Sequence, residues 1–238
     1  MYKFDDKVAM ITGPAGNLGN AIAEAFQDAG AKLVLVDRHP DRLKELFPEL
    51  VDSPDHLLAT SVDVTDPEAV AAMMAEALET LGRVDVLVNT VGGYKAGNPV
   101  HEMELDTLDH MFNLNVRSAF NVSHAVIPSM LEHEAGKIVN IAAKPGLQGG
   151  KNTSAYSLAK SAVIRLTESM AAELKRKGIN VNCVLPSIID TPINRKYMPN
   201  ATHSRWVTPE SLAEVILFLA SDAARDIHGA ALPVYGTV

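Results

Sequence analysis

Six short runs of β-branched and aliphatic residues recur along the chain, and longer stretches of helical periodicity separate them. The runs are Val8–Thr12, Leu33–Asp37, Leu57–Val62, Val84–Asn89, Lys137–Ile141 and Ile179–Leu185. Each is too apolar to leave one face in water, so the strands they predict belong in a parallel sheet with both faces covered. Helical segments fall near 18–29, 66–81, 105–134 and 155–177. In the last, Ala159, Val163, Leu166, Met170 and Leu174 recur at steps of three and four, and Gly178 stands where such a helix ends. Asp66-Pro67 opens another as N-cap and first helical residue. A run near Ala230–Tyr235 adds a strand at the edge.

Strand–helix alternation of this kind predicts an α/β fold: a single-domain, Rossmann-like doubly wound parallel sheet with helices on both faces. The 238 residues, 47% of them hydrophobic, suffice for one large core, and no linker, repeat or composition shift divides residues 1–238. A formal charge of −8 argues against a nucleic-acid partner. The uncharged stretch Val8 to Ala23 is interrupted by Gly, Pro and Asn, so no membrane span is expected. The first seven residues lack the apolar core of a signal peptide, and the expectation is a cytoplasmic protein. A single cysteine, Cys183, excludes an intrachain disulfide and reads as a buried thiol. The eight histidines show no metal-ligand spacing, so no metal is expected.

The first strand runs into Thr12-Gly-Pro-Ala-Gly-Asn-Leu-Gly19, and a helix follows at once. Glycines in that place let the backbone turn tightly and approach a pyrophosphate, while the helix start supplies free N–H groups. Gly13, Asn17, Leu18 and Gly19 are the candidate cradle. Asp37 ends the next strand, where a carboxylate can accept hydrogen bonds from an adenosine ribose and repel a 2′-phosphate. The expected cofactor is therefore NAD rather than NADP, although a guanidinium at Arg38 could hold that phosphate.

With these residues in place, the chain resembles the short-chain dehydrogenase/reductase family over nearly its whole length. It departs from that family's Thr-Gly-x-x-x-Gly-x-Gly turn: Gly16 comes one place early and Asn17 takes the middle glycine's place, a position where left-handed backbone tolerance is expected to matter. The resemblance implies that Asp63 and Val64 contact the adenine. Asn89-Thr-Val-Gly92 looks like the family's Asn-Asn-Ala-Gly stretch, with Asn89 and Gly92 against the cofactor. It further implies that Ile189 and Thr191, in Pro186-Ser-Ile-Ile-Asp-Thr191, face the nicotinamide carboxamide.

Tyr156-Ser-Leu-Ala-Lys160 is the sharpest motif. Positions four apart share a helix face, so an ammonium near the phenol is expected to favour phenolate and lower a pKa that starts near 10. Such a tyrosine can exchange a proton with a substrate while hydride moves to or from the cofactor. The resemblance gives Lys160 a second role at the nicotinamide ribose and implies that Asn115 anchors a water beside it. Asn113 competes for that part, but Asn115-Val-Arg-Ser-Ala-Phe120 is the better match.

One expected residue is absent. Thirteen positions before the tyrosine the family usually has a serine, and here stands Ala143. A narrower similarity, to the dihydropteridine reductase branch, rests on Gly13-x-x-Gly-x-Leu-Gly19, Gly92-Gly-Tyr-x-x-Gly-Asn98, Ala143-Lys144 and Asp190–Pro199 with Ser204-x-Trp206. It implies a quinonoid pterin-like ring as substrate, beside a small carbonyl or alcohol as the general alternative. Tyr94 and Trp206 are candidate aromatic contacts for a planar substrate, Trp206 equally a residue that packs the Pro192–Pro209 lid onto the body. The competing reading is a nucleotide-binding regulator or scaffold of weak turnover. Long helices at 105–134 and 155–177 imply, by the same resemblance, a homodimer or homotetramer.

Overall fold

The computed structural model describes residues 2–238. Seven strands, β1 (Val8–Thr12), β2 (Lys32–Val36), β3 (His56–Ala59), β4 (Val86–Asn89), β5 (Gly136–Ile141), β6 (Ile179–Pro186) and β7 (Ala231–Val234), form one sheet. Its order is β3-β2-β1-β4-β5-β6-β7, with every pair parallel. The expected Rossmann-like sheet is present. From β1 the chain winds outward to β3, returns to β4, and winds outward the other way. The reversal leaves a crevice beyond the C-terminal ends of β1 and β4, where such sheets bind their ligands.

Eight α-helices accompany the sheet among the described residues: α1 (Asn17–Asp28), α2 (Arg42–Leu46), α3 (Pro67–Leu81), α4 (Leu105–Phe112), α5 (Ser118–Glu132), α6 (Ser154–Leu174), α7 (Pro192–Tyr197) and α8 (Pro209–Ala220). Alternation along the strands divides the core. Ala9, Ile11, Leu33, Leu35, Val86 and Val88 meet Ile22 and Phe26 of α1 and Leu212 and Ile216 of α8. On the other face, Met10, Val34, Val36 and Leu87 meet Val70 and Met73 of α3, Val122 and Val126 of α5, and Met170 of α6. Burying each of the larger of these side chains contributes about 1.5–3 kcal/mol.

Several elements differ from the sequence expectation. The strand expected over Leu57–Val62 stops at Ala59, because Ser61 takes a left-handed backbone, φ +61°, and Val62 bonds back to the Asp37 carbonyl. The helix expected over 105–134 is broken by a π-helical turn, Asn113–Arg117, between α4 and α5. There the Asn115 amide donates to the Met111 carbonyl and the Ser118 hydroxyl to the Leu114 carbonyl, so side chains compete for the ladder. Helices α2, α7 and α8 were not expected. The signal for α8 was in the sequence: Thr208 caps it by accepting from the Ser211 N–H at 3.1 Å, and Pro209 sits at its first position.

Among the described residues no helix is long and apolar enough to cross a membrane. No group of three or more His, Cys, Asp or Glu among them could hold a metal ion.

The cap gives a direct test of α8. Thr208→Ala should lower unfolding stability by about 1 kcal/mol, measured by urea denaturation, with Thr208→Ser close to wild type.

Candidate active site

The tips of β1 and β4 are fastened to each other. Thr12 Oγ1 accepts from the Thr90 N–H at 3.1 Å and the Val91 N–H at 3.4 Å, and the Thr90 hydroxyl donates back to the Thr12 carbonyl. This pairing fixes where the two loops that frame the crevice begin. Residues 78 positions apart carry it, so no local pattern announces it.

From Thr12 the chain enters the Gly-rich turn. Gly13 takes φ +67°, a conformation L side chains rarely adopt. A Cβ on Gly19 would overlap the Gly13 carbonyl oxygen, so that glycine is what allows α1 to pack against the turn. Asn17 does not use a left-handed backbone. Gly16 is the extended N-cap, φ −85° and ψ 159°, and Asn17 already begins the helix. The departure from the family's pattern at that position therefore costs no backbone strain. The N–H groups of Asn17, Leu18 and Gly19 lie in the first turn, where no intrahelical partner reaches them.

Asp37 is buried at the end of β2, with one carboxylate oxygen accepting the His39 N–H at 2.9 Å. The Arg38 side chain turns to His39, at 3.4 Å, and is exposed. Asp63 takes the Thr65 N–H at 2.9 Å and the Thr65 hydroxyl at 2.7 Å. Those two bonds hold its carboxyl below the usual range. Val64 beside it is buried. Asn89 departs from its expected direction. Its amide donates to Ser123 of α5 at 3.1 Å and to Asn140 of β5 at 2.9 Å, so the side chain points into the helix layer and not into the crevice.

Tyr156, Lys160, Asn115 and Gly92 do converge. A Cβ on Gly92 would lie 2.8 Å from Asn115 Oδ1 and 3.2 Å from Lys160 Nζ, which is why glycine stands there. Asn115 is buried and clamps the next residue in both directions: Gly93 N–H to Oδ1 at 3.1 Å, and Nδ2 to the Gly93 carbonyl at 3.1 Å. Asn113 is exposed. Lys160 is buried, and its ammonium donates to the Ile141 carbonyl at 2.8 Å. It stands 5.9 Å from the Tyr156 ring centroid. Tyr94 sits edge-on to Tyr156, with ring centroids 4.8 Å apart, and is 67% exposed.

The protonation chemistry differs from the sequence expectation. Burial, with a smaller effect from Tyr94, pushes the Tyr156 phenol up to about 12 rather than down. The ammonium that was to lower it is bound to a backbone carbonyl. Burial pushes Lys160 itself down to about 8, against a small opposing effect of Cys183. Cys183 is buried on β6, and burial raises its thiol to about 11.

Around this centre, Ala143 is buried at the end of the segment after β5. Ile189 pairs with Val207 in a short parallel bridge, and its carbonyl accepts from Asn194 Nδ2 at 2.8 Å. Thr191 caps α7 through its hydroxyl. Trp206 is 7% exposed, with its ring against His203, centroids 4.5 Å apart. It holds the Pro192–Pro209 segment to the body and offers no open face for stacking.

Residues 7–202 match the description of the short chain dehydrogenase family. The chain belongs to that family and is an oxidoreductase. It is 31% identical over 218 residues to an uncharacterized oxidoreductase of Staphylococcus aureus (strain N315), covering 92% of each chain. It is 32% identical to the 3-oxoacyl-(acyl-carrier-protein) reductase FabG of Thermotoga maritima, covering 98% of each. The crystal structure of an NAD+-bound xylitol dehydrogenase superposes with a TM-score of 0.90 at 27% identity, over 98% of this chain and 99% of that one.

Lys160 predicts a pH dependence of stability. Below pH 8 it is charged both folded and unfolded. Above pH 8 the folded protein releases a proton that the unfolded chain keeps to 10.5, so stability rises with pH. Cys183 acts oppositely from pH 9 and Tyr156 from pH 10, because their unfolded forms ionise first. Between pH 8 and 9 urea unfolding should show a gain of about 1 kcal/mol, most of it absent in Lys160→Met.

Proposed function

We propose that this oxidoreductase is NAD(H)-dependent and that residues 1–238 act as a single domain. In this reading Tyr156 is the proton donor or acceptor. The convergence of Tyr156, Lys160 and Asn115 around Gly92, beside the Gly-rich turn, carries the reading. The cradle fits a dinucleotide: Gly13 makes the positive-φ turn and Gly19 lets α1 start hard against it, so the free N–H groups of α1 stand where a pyrophosphate would bind. In this reading Asp37 accepts from the adenosine ribose, and its second oxygen, outside the bond to His39, supports that role. That carboxylate, together with the NAD+-bound neighbour, supports NAD over NADP. Val64 is proposed to flank the adenine, and Ile189 and Thr191 the carboxamide end.

A bound nicotinamide supplies the hydride donor or acceptor. The phenol of Tyr156 holds or takes up the accompanying proton. At about 12 it is a firm proton store, and the Lys160 ammonium is the charge whose approach makes its release easier. Asn115 holds Gly93, and thereby the loop that carries Tyr94 over the phenol.

The substrate is a small molecule. Tyr94 provides an exposed aromatic edge next to Tyr156, and Ala143 offers no hydroxyl to a substrate oxygen, a pairing that suits a planar quinonoid pterin-like ring better than a simple ketone. The general alternative is a small carbonyl or alcohol. Ala143 also favours a second reading, a nucleotide-binding regulator or scaffold with little turnover. The exposed side chains of Phe112, Phe120 and Leu158 on the helices near the site support a homodimer or homotetramer.

Three measurements test this. Fluorescence titration should find NADH bound at least about tenfold tighter than NADPH, the equivalent of 1.4 kcal/mol; the reverse order would assign the ribose site to Arg38. Tyr156→Phe should keep NADH affinity and reduce kcat by about 100-fold or more; full turnover would remove Tyr156 from the mechanism, and absent turnover in the wild type on carbonyls, quinones and quinonoid dihydropterin would favour the regulator. Ala143→Ser should be neutral or harmful on quinonoid dihydropterin. A gain in kcat/KM on a simple ketone, approaching the roughly 3–4 kcal/mol that one such donor supplies, with no pterin turnover in either variant, would return the enzyme to carbonyl substrates.

A further inference from the structure

A second cleft, of about 530 Å³, lies at the opposite end of the sheet from the Gly-rich turn, around the starts of β4 and β5. Its walls come from the segments before β1, before β5, after α6 and after α8. The surrounding chain carries a net charge of −8, yet the lining holds Lys3, Lys7, Lys137, Lys175 and Arg225 against three carboxylates. One of those carboxylates is already engaged: Asp85 is bridged to Arg83 at 2.6 Å and to Lys7 at 3.6 Å, and it accepts the Val8 N–H at 3.0 Å. Another, Asp226, faces Arg225 at 3.6 Å.

Lys137 is the half-buried cation of the group. Its ammonium donates to Asn180 Oδ1 at 2.8 Å. Asn180 is buried on β6, and its amide is fixed by the carbonyls of Arg225 at 2.8 Å and Ile227 at 2.9 Å. The acceptor that orients Lys137 is thus rigid and neutral. Among the described residues no carboxylate lies within 4.0 Å of Lys137, Lys3 or Lys175. Burial pushes the Lys137 pKa down, while Asp222 and Asp226 oppose that from further away. Asp222, the third carboxylate of the lining, has no cation within 4.0 Å among the described residues, so neither it nor Asp226 takes up the Lys137 ammonium directly. That ammonium, partly desolvated and aimed by a neutral amide, keeps donors free for a bound anion.

We propose that this cleft is a binding site for a small, multiply charged phosphate-bearing anion, held by Lys137 with Lys3 and Lys175 around it. It is separate from the cofactor cradle, being at the other end of the strands. No catalysis is assigned to it. A ligand here would bridge the segment before β1, the start of β5 and the end of α6, and so stabilise the folded protein in proportion to its concentration.

Inorganic pyrophosphate is the probe, titrated calorimetrically at constant ionic strength. Lys137→Gln should weaken its binding about tenfold, the loss of one charge-assisted contact. The double variant Lys3→Gln/Lys175→Gln, confined to exposed side chains, should weaken it similarly. NADH titration serves as the check that each variant is folded. Pyrophosphate binding unchanged in the double variant, or abolished by saturating NADH in the wild type, would overturn the proposal, the latter by assigning the binding to the cofactor cradle. Absence of binding to the wild type would overturn it as well.

Discussion

Every residue of β1, β4 and β6 is buried, because a parallel sheet presents both faces to helices and has none to give to water. The rest of the architecture answers that constraint. Helices α1 and α8 cover one face, and α3, α5 and α6 the other. Each crossover returns the chain to the same end of the sheet, so the ends of the strands are where loops accumulate. The reversal between β1 and β4 leaves a gap there that no helix can fill. The crevice beside the Gly-rich turn is therefore a consequence of covering the sheet.

Polar side chains that do enter the core fasten layers together. Ser123, Asn89, Asn140 and Thr167 form a continuous hydrogen-bonded chain from α5 through β4 and β5 to α6, with distances of 2.9–3.1 Å. Thr167 lies seven residues beyond Lys160, two helical turns away on α6. The chain thus ties the helix that bears Tyr156 and Lys160 to the two strands whose tips frame the crevice. Apolar packing alone permits a helix to slide, whereas a buried amide left unpaired costs about 1–3 kcal/mol, so these bonds favour one axial position.

The same burial that stabilises the sheet sets the chemistry of the site. Lys160 is held in the interior at a cost, with its pKa down at about 8, and Tyr156 is held firmly protonated. At neutral pH the lysine shift costs stability because the charged form is buried, whereas the tyrosine, neutral both folded and unfolded, contributes nothing. Strained or costly groups of this kind are expected where a fold carries function.

The sequence by itself determined the strand runs, the Gly-rich turn with Gly13 and Gly19, the Tyr156–Lys160 spacing and the absence of a serine at Ala143. These are local properties: hydrophobic period, φ preference and helix geometry act within a few residues. The cap of α8 is equally local, at Thr208-Pro209. Tertiary structure alone decided where Asn89 points, since its partners Ser123 and Asn140 lie 34 and 51 residues away. It decided that Trp206 packs inward, that Asn115 clamps Gly93, and that the helix breaks at Asn113–Arg117. It also reversed the expected direction of the Tyr156 shift. A spacing of four brings two side chains to one helix face, but burial, with a smaller effect of Tyr94, sets the protonation state of the phenol, while the ammonium is held by the Ile141 carbonyl of a neighbouring strand.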